Sequence, residues 1–305
     1  MTGRMTLLVE GDSDQRAIAQ LIRRYLDLDF DDELPIEIDP ISVIADPILD
    51  GLGQRQRVER FHEFADEHKE AGSKILSLTD REFREYGEEM GEDFLQDHYV
   101  EGGRFWTRGH SIENYLFDID ILREFAGIHC PSEGWSLGVD LLDRSFSGLL
   151  RSLTSLTRVG ILIGDLGQVK SSLGPECFEA MGSEVFFSPL GWESQMRKSR
   201  REDSFIQQCL NLYGHSSERS HVLRPEFMRW YCHGHLGLKF FLAALDYCMA
   251  QNVEDTAAVK RLSRLPSESR FLILVDIWAR RSKMNRNIYP RALLERSVSG
   301  ISTSR

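Results

Sequence analysis

The 305-residue chain has little that would send it to a membrane or to an oxidising compartment. No stretch is long and apolar enough to span a bilayer. No long apolar run precedes Glu10, so no signal peptide is expected. The five cysteines, Cys130, Cys177, Cys209, Cys232 and Cys248, never form a Cys-x-x-Cys pair. That spacing excludes a zinc ribbon and reads as reduced, mostly buried thiols in a cytoplasmic protein. Positive charge is also short: 37 Lys and Arg stand against 48 Asp and Glu, a formal net charge of -11. A nucleic-acid binder with that balance must gather its cations locally. The chain contains no Gly-x-x-x-x-Gly-Lys-Ser/Thr run, so it carries no phosphate-binding loop of its own. The acidic stretch from Asp27 to Asp39 lacks the spacing and central glycine of a calcium loop and reads as solvated. Internal repeats and low-complexity segments are absent.

What is present starts at Met5-Thr6-Leu7-Leu8-Val9-Glu10-Gly11-Asp12-Ser13-Asp14. An apolar run leads into a carboxylate, a glycine and further carboxylates. A helical pattern follows at once, with Ala17, Ile18, Leu21, Ile22, Tyr25 and Leu26 on one face. A buried strand does not hide a charge cheaply, so Glu10 is expected at its carboxyl end. Gly11 allows the turn and Asp12, Ser13 or Asp14 can cap the helix. Ile41 to Ala45 reads as a second short strand. Arg55 to Glu70 reads as a helix with Val58, Phe61, Phe64 and Ala65 inward, stopping at Gly72. Lys74 to Glu82 then repeats the opening logic, because Ile75-Leu76-Ser77-Leu78-Thr79 ends in Asp80-Arg81-Glu82.

Strand, helix, strand, helix, strand favours a parallel sheet with right-handed crossovers. All its strands share one carboxyl edge, where Glu10, Asp80 and Glu82 can converge. Asp80 and Glu82 face one side if the backbone between them stays extended. Phe83 to Tyr99 reads as an acidic surface insertion or helix, and Phe105-Trp106-Thr107 as a strand. It leads to His110-Ser111-Ile112-Glu113-Asn114-Tyr115-Leu116, where a further helix starts near Ser111 or Asp118. Beyond about residue 130 the pattern is mainly helical, over Val139–Leu156, Glu202–Tyr213, Arg224–Gln251 and Glu254–Arg264. Val159–Ile163 and Val185–Phe187 read as short strands or buried turns. The expected architecture is α/β: a parallel-sheet domain over 1–130 and a mostly helical domain over 131–305.

Carboxylates on one sheet edge suit a hard divalent cation. At this point the residues resemble a family. Val9-Glu10-Gly11-x-x-Asp14 with Asp80-x-Glu82 is similar to a Toprim domain, as found in primases, topoisomerases and OLD-type nucleases. The Ser-Ile-Glu-Asn-Tyr-Leu motif at 111–116 is similar to a bacterial Toprim-like family that includes the nuclease effector of PARIS-type anti-phage systems. The resemblance covers residues 5 to 120 and extends weakly to Cys232-His233-Gly234-His235-Leu236, where relatives carry Gly-Lys or Gly-His before an apolar helix. It implies Glu10 as a metal ligand or proton acceptor and Asp14 as a supporting ligand. It further implies Asp80 and Glu82 as the magnesium-holding acid pair and Glu113 as a further ligand, with Glu10, Asp80 and Glu82 catalytic. Manganese is the alternative ion. Glu82 departs from the family's Asp-x-Asp by one methylene.

By the same resemblance the activity is a Mg2+-dependent endonuclease cleaving DNA, RNA or tRNA, toxic to the cell. A separate ABC- or AAA-type ATPase controls it, and the active form is a homodimer. The alternative is a catalytically degenerate binding or regulatory subunit of an ATPase complex. The same residues have other readings. Glu113 can pair with Arg104 or Arg108; His233 and His235 beside Cys232 lack a zinc framework; Tyr115 packs. Nucleic acid is expected at Arg197, Lys198, Arg200 and Arg201 and at Arg280, Arg281, Lys283 and Arg286, with Arg291, Arg296 and aromatic Tyr289 nearby. Solvated helix faces, or a docking surface for an acidic partner, explain these clusters equally well.

Overall fold

The computed structural model describes residues 5–68, 74–87, 92–93, 100–284 and 291–298. The chain falls into two compact units. One comprises residues 1–81, 95–108 and 271–305; the other comprises 82–94 and 109–270. The boundary expected near residue 130 lies inside the second unit.

The first unit is built on β1 (Thr6–Val9), β2 (Glu37–Pro40) and β3 (Ile75–Thr79), joined by helices α1 (Asp12–Leu26) and α2 (Gln54–Glu67). In chain order β4 (Tyr86–Gly87) and β5 (Glu92–Asp93) follow, then β6 (Val100–Glu101) and β7 (Arg104–Trp106). The sheet runs β2-β1-β3-β7-β6. The first four strands are parallel and β6 is antiparallel to β7. Leu7, Leu8 and Val9 are all buried, as a strand covered on both faces requires. Leu8 packs with Ile41, Leu49 and Val58, flanked by Phe61 and Ile75.

In α1 the buried face is Ala17, Ile18, Leu21 and Ile22, with Asp12 and Asp14 in the first turn and Arg23 and Arg24 in the last. Those charges complement the helix dipole at both ends. Two local expectations shift. The second strand is Glu37–Pro40, and Ile41–Val43 is a 3-10 turn. Ile38 and Pro40 alternate inward along an edge strand, and the acidic residues around them mask that pattern in the sequence. In α2 the inward positions are Val58, His62 and Ala65. Phe64 is 37% exposed and lies 4.5 Å from the His68 ring. The expected stop at Gly72 lies outside the described residues.

The second unit is mostly helical. Its long helix Trp135–Ile163 is buried along much of its length and ends at Gly164 in a left-handed conformation. Val159–Ile163, expected as a strand or buried turn, is the tail of this helix. Phe178–Met181 and Glu184–Phe187 form an antiparallel hairpin, so Val185–Phe187 does sit in a strand. The run expected over Arg224–Gln251 is two helices, Pro225–Tyr231 and Gly234–Asn252, broken at Cys232-His233. Within Phe83 to Tyr99 the described residues are a turn through Glu85 and the antiparallel pair β4–β5. All five cysteines are buried and free. Burial pushes the Cys177 and Cys209 thiols up to about 11 and those of Cys232 and Cys248 up to about 12, so they are inert at neutral pH. Among the described residues no helix is long and apolar enough to cross a membrane.

Candidate functional site

The strand order places a topological switch point in the first unit. From β1 the chain crosses to β2 on one side, then returns to β3 on the other. At such a point the two crossovers part and leave a crevice at the carboxyl ends of the strands. Glu10 follows β1 and Asp80 follows β3, and these two strands are neighbours. The Asp80 N–H donates to Glu10 Oε1 at 2.7 Å. The next N–H, of Arg81, donates to Thr107 Oγ1 at 3.0 Å. Arg81 is 1% exposed and its Nη1 donates to the Arg108 carbonyl at 3.0 Å. The Asp80 peptide is thus held from both neighbouring strands. Asp14 belongs to the same unit; its Oδ2 accepts the Gly11 N–H at 3.1 Å, closing the first turn of α1.

Glu82 and Glu113 belong to the second unit. The extended backbone of β3 ends at Thr79, and Glu82 adopts a left-handed conformation with φ 53°. Its N–H donates to the His110 carbonyl at 2.8 Å. The condition for Asp80 and Glu82 facing one side, a continuous extended backbone, is therefore not met at Glu82.

The Ser111–Leu116 motif is a buried 3-10 turn. Asn114 ties it down: its Oδ1 accepts the Ser111 N–H at 2.9 Å, and its Nδ2 donates to the carbonyls of Arg229 and Cys232 at 2.7 and 2.8 Å. Tyr115 is buried against Trp230, ring centroids 5.2 Å apart.

Glu113 is 3% exposed. Its Oε2 accepts the Ser111 hydroxyl at 2.6 Å and its Oε1 lies 2.7 Å from His235 Nδ1. Burial alone would raise the Glu113 carboxyl. The hydrogen bond and charge of His235, with the Ser111 hydroxyl, outweigh it and hold the group below its ordinary value. Gly234, first residue of the helix Gly234–Asn252, makes this approach possible. A Cβ there would stand 1.8 Å from Ser111 Oγ and 2.9 Å from Glu113 Oε2. The helix N-terminus also favours the negative charge. The Glu113 partner is therefore His235, not Arg104, which pairs with Asp66 at 3.1 Å.

Two more imidazoles lie alongside. His110 and His233 stack with centroids 4.4 Å apart, and His233 stands 5.8 Å from His235. Burial, then the neighbouring histidines, depress both: His110 falls well below its ordinary value and His233 falls to about 4. His233 Nδ1 accepts the Leu236 N–H at 3.3 Å and caps the helix as a neutral ring. The local sequence named these histidines but gave no sign of the Glu113–His235 pair, whose members are far apart in the chain.

The basic clusters fall in different units: Arg197–Arg201 in the second, Arg280–Arg286 in the first. Arg197 pairs with Glu193 and Asp203, and Arg201 donates to Ser171. Lys198 and Arg200 are exposed. Arg280 pairs with Asp276, which also takes Arg24. Arg281 is half-buried and Lys283 lies in the last turn of the helix Ser267–Met284. Arg286 and Tyr289 lie outside the described residues.

Among the described residues no group of three or more His, Cys, Asp or Glu is gathered to hold a metal ion. No protein-family model matches this chain, and no curated protein does.

Proposed function

We propose that this chain is a Mg2+-dependent phosphodiester hydrolase of Toprim type, a nuclease acting as the toxic effector of an anti-phage system under the control of a partner ATPase. One observation carries the hydrolase reading: two carboxylate residues, Glu10 and Asp80, follow adjacent parallel strands at the switch point of the sheet. The Toprim assignment, the anti-phage role, the ATPase, the nucleic-acid substrate (DNA, RNA or tRNA) and the active homodimer rest on the motif resemblance.

The donor set fits a hard cation. Magnesium keeps several waters and takes one or two protein carboxylates, so it does not need a dedicated protein cage. Glu10 and Asp80 would hold it with Asp14 in support, and manganese suits the same oxygens. When bound, the ion supplies neutralisation of the charge that develops on a phosphate. The residues supply the rest. The Asp80 N–H fixes the Glu10 carboxylate on one oxygen, so its orientation is set before any ligand arrives. The Asp14–Gly11 bond holds the turn that follows β1.

The test is induced expression in cells of the wild type beside Glu10→Gln and Asp80→Ala, with sequencing of cleaved DNA and RNA. The wild type is expected to be toxic and to leave defined cuts. Each variant should cut at least about a hundredfold more slowly, Glu10→Gln through loss of a proton acceptor and Asp80→Ala through loss of a carboxylate that would hold the ion. Variants that cut at the wild-type rate would remove these residues from the reaction.

A further inference from the structure

We propose that Thr107 is a positioning residue for Asp80 and thereby sets how tightly the first unit holds a divalent cation. The inference rests on the metal reading above and deepens it with a residue that the sequence placed only in a strand. It starts from the backbone on either side of the Asp80 Cα. A residue has two soft backbone dihedrals, so fixing the peptides before and after it fixes the direction in which its side chain leaves the chain. The peptide before Asp80 is held through its N–H, which donates to Glu10 Oε1 at 2.7 Å. The peptide after it is held through the Arg81 N–H, which donates to Thr107 Oγ1 at 3.0 Å. One anchor follows β1 and the other follows β7.

Thr107 is itself anchored. It follows Trp106, which stands in register with Thr79, and its own N–H donates to the Thr79 carbonyl at 3.0 Å. The residue is 1% exposed. A β-branched side chain has few χ1 states, so the hydroxyl is presented in place. The Arg81 side chain braces the same turn by donating from Nη1 to the Arg108 carbonyl.

The two anchors differ in kind. Glu10 is itself offered to the ion, so its bond to Asp80 is shared with that task. Thr107 is uncharged and buried, and its bond to Arg81 stands whether or not an ion is bound. A buried N–H that loses its acceptor is costly, and the chain relieves the cost by turning the peptide toward another partner. Turning this peptide turns the Asp80 carboxylate with it. Groups that orient a metal ligand from behind typically change metal affinity ten- to a hundredfold, by about that factor when they are removed.

The test measures binding rather than turnover. Mn2+ is titrated into the full-length protein without nucleic acid, and the free ion is followed by its EPR signal. Thr107→Val keeps the shape and removes the acceptor, and it should weaken Mn2+ binding about tenfold or more. Thr107→Ala removes the acceptor without a second methyl and should weaken it at least as much. Thr107→Ser keeps the hydroxyl and should stay within about threefold of the wild type. Thr79→Val is the control, because the Thr79 hydroxyl is buried and has no hydrogen-bond partner among the described residues; its Mn2+ affinity should not change. A merely structural threonine would lower the melting temperature of Thr107→Val and leave the Mn2+ affinity of the folded protein untouched. That result, or an equal loss in Thr107→Ser or Thr79→Val, would overturn the assignment while leaving the metal site standing. A wild type whose Mn2+ binding does not depend on Glu10 and Asp80 would instead remove the metal reading, and this inference with it.

Discussion

The two units each place an acid at a candidate site, and they do it by different physics. In the first, Glu10 is placed by topology. Its strand is one of four parallel strands, the sheet reverses direction beside it, and the carboxylate falls at the edge because the strand ends there. Packing asks little of it. Gly11 next to it has space, since a Cβ there would meet only Asp14 Oδ2 at 3.9 Å. In the second, Glu113 is placed by packing. It is enclosed, both oxygens are bonded, and the facing position tolerates only glycine. An acid placed by topology can be changed with little effect on the fold. An acid placed by packing is part of what holds the fold together.

The strongest way to break this contrast is to add one methyl group on each side of it. Gly234→Ala should destabilise the protein by about 3 kcal/mol or more, because the new Cβ cannot be accommodated without displacing Ser111 from Glu113. Gly11→Ala should cost less than about 1 kcal/mol, its backbone being extended with φ -149°. Chemical denaturation of the two variants measures both. Equal losses would mean that the first unit is packed around its acid as tightly as the second.

A finer contrast removes only charge. Glu113→Gln keeps the shape but weakens two charge-assisted hydrogen bonds, so a loss of about 2 kcal/mol is expected. Glu10→Gln weakens the bond from the Asp80 N–H in a half-buried place, and about 1 kcal/mol is the expected cost. The order of the two is the content of the prediction. A Glu10→Gln loss equal to that of Glu113→Gln would show that the switch-point acid also bears on the fold.

The contrast also explains what the sequence could disclose. Topological placement is local: an apolar run, a carboxylate and a helical period can be read in ten residues, and both Thr6–Val9 and Ile75–Thr79 were legible that way. Glu37–Pro40 was not, because its two inward residues are scattered among acids. His62 took an inward place in α2 that the pattern gives to Phe64, since a helix faces its neighbours by position and not by hydropathy alone. The tail of Trp135–Ile163 looked like a strand because β-branched residues suit both states once fully buried. The partner of Glu113 was beyond reach for another reason. Ser111 and Gly234 meet only after the chain has passed through six helices, and no local pattern records that.

Acid should act on the second unit through its histidines, and this effect is the smallest and the most specific. His233 has an ordinary value of 6.5 and falls to about 4 in the fold. A depressed folded value means the unfolded chain binds the proton more readily. The stability from keeping the ring neutral is complete above pH 6.5 and is lost as the pH falls toward 4. At pH 5.5 the loss from this group is roughly 1 kcal/mol. His110 shifts in the same direction and adds to it. Asp246 works against it, because burial raises its carboxyl, and that contribution grows as the pH falls. The variant that isolates the term is His233→Asn, which can still cap the helix through its side-chain oxygen but does not titrate. Its melting temperature should fall less than that of the wild type between pH 7 and pH 5. Parallel curves for the two proteins would show that His233 is not held neutral and that the acid sensitivity of the second unit lies elsewhere.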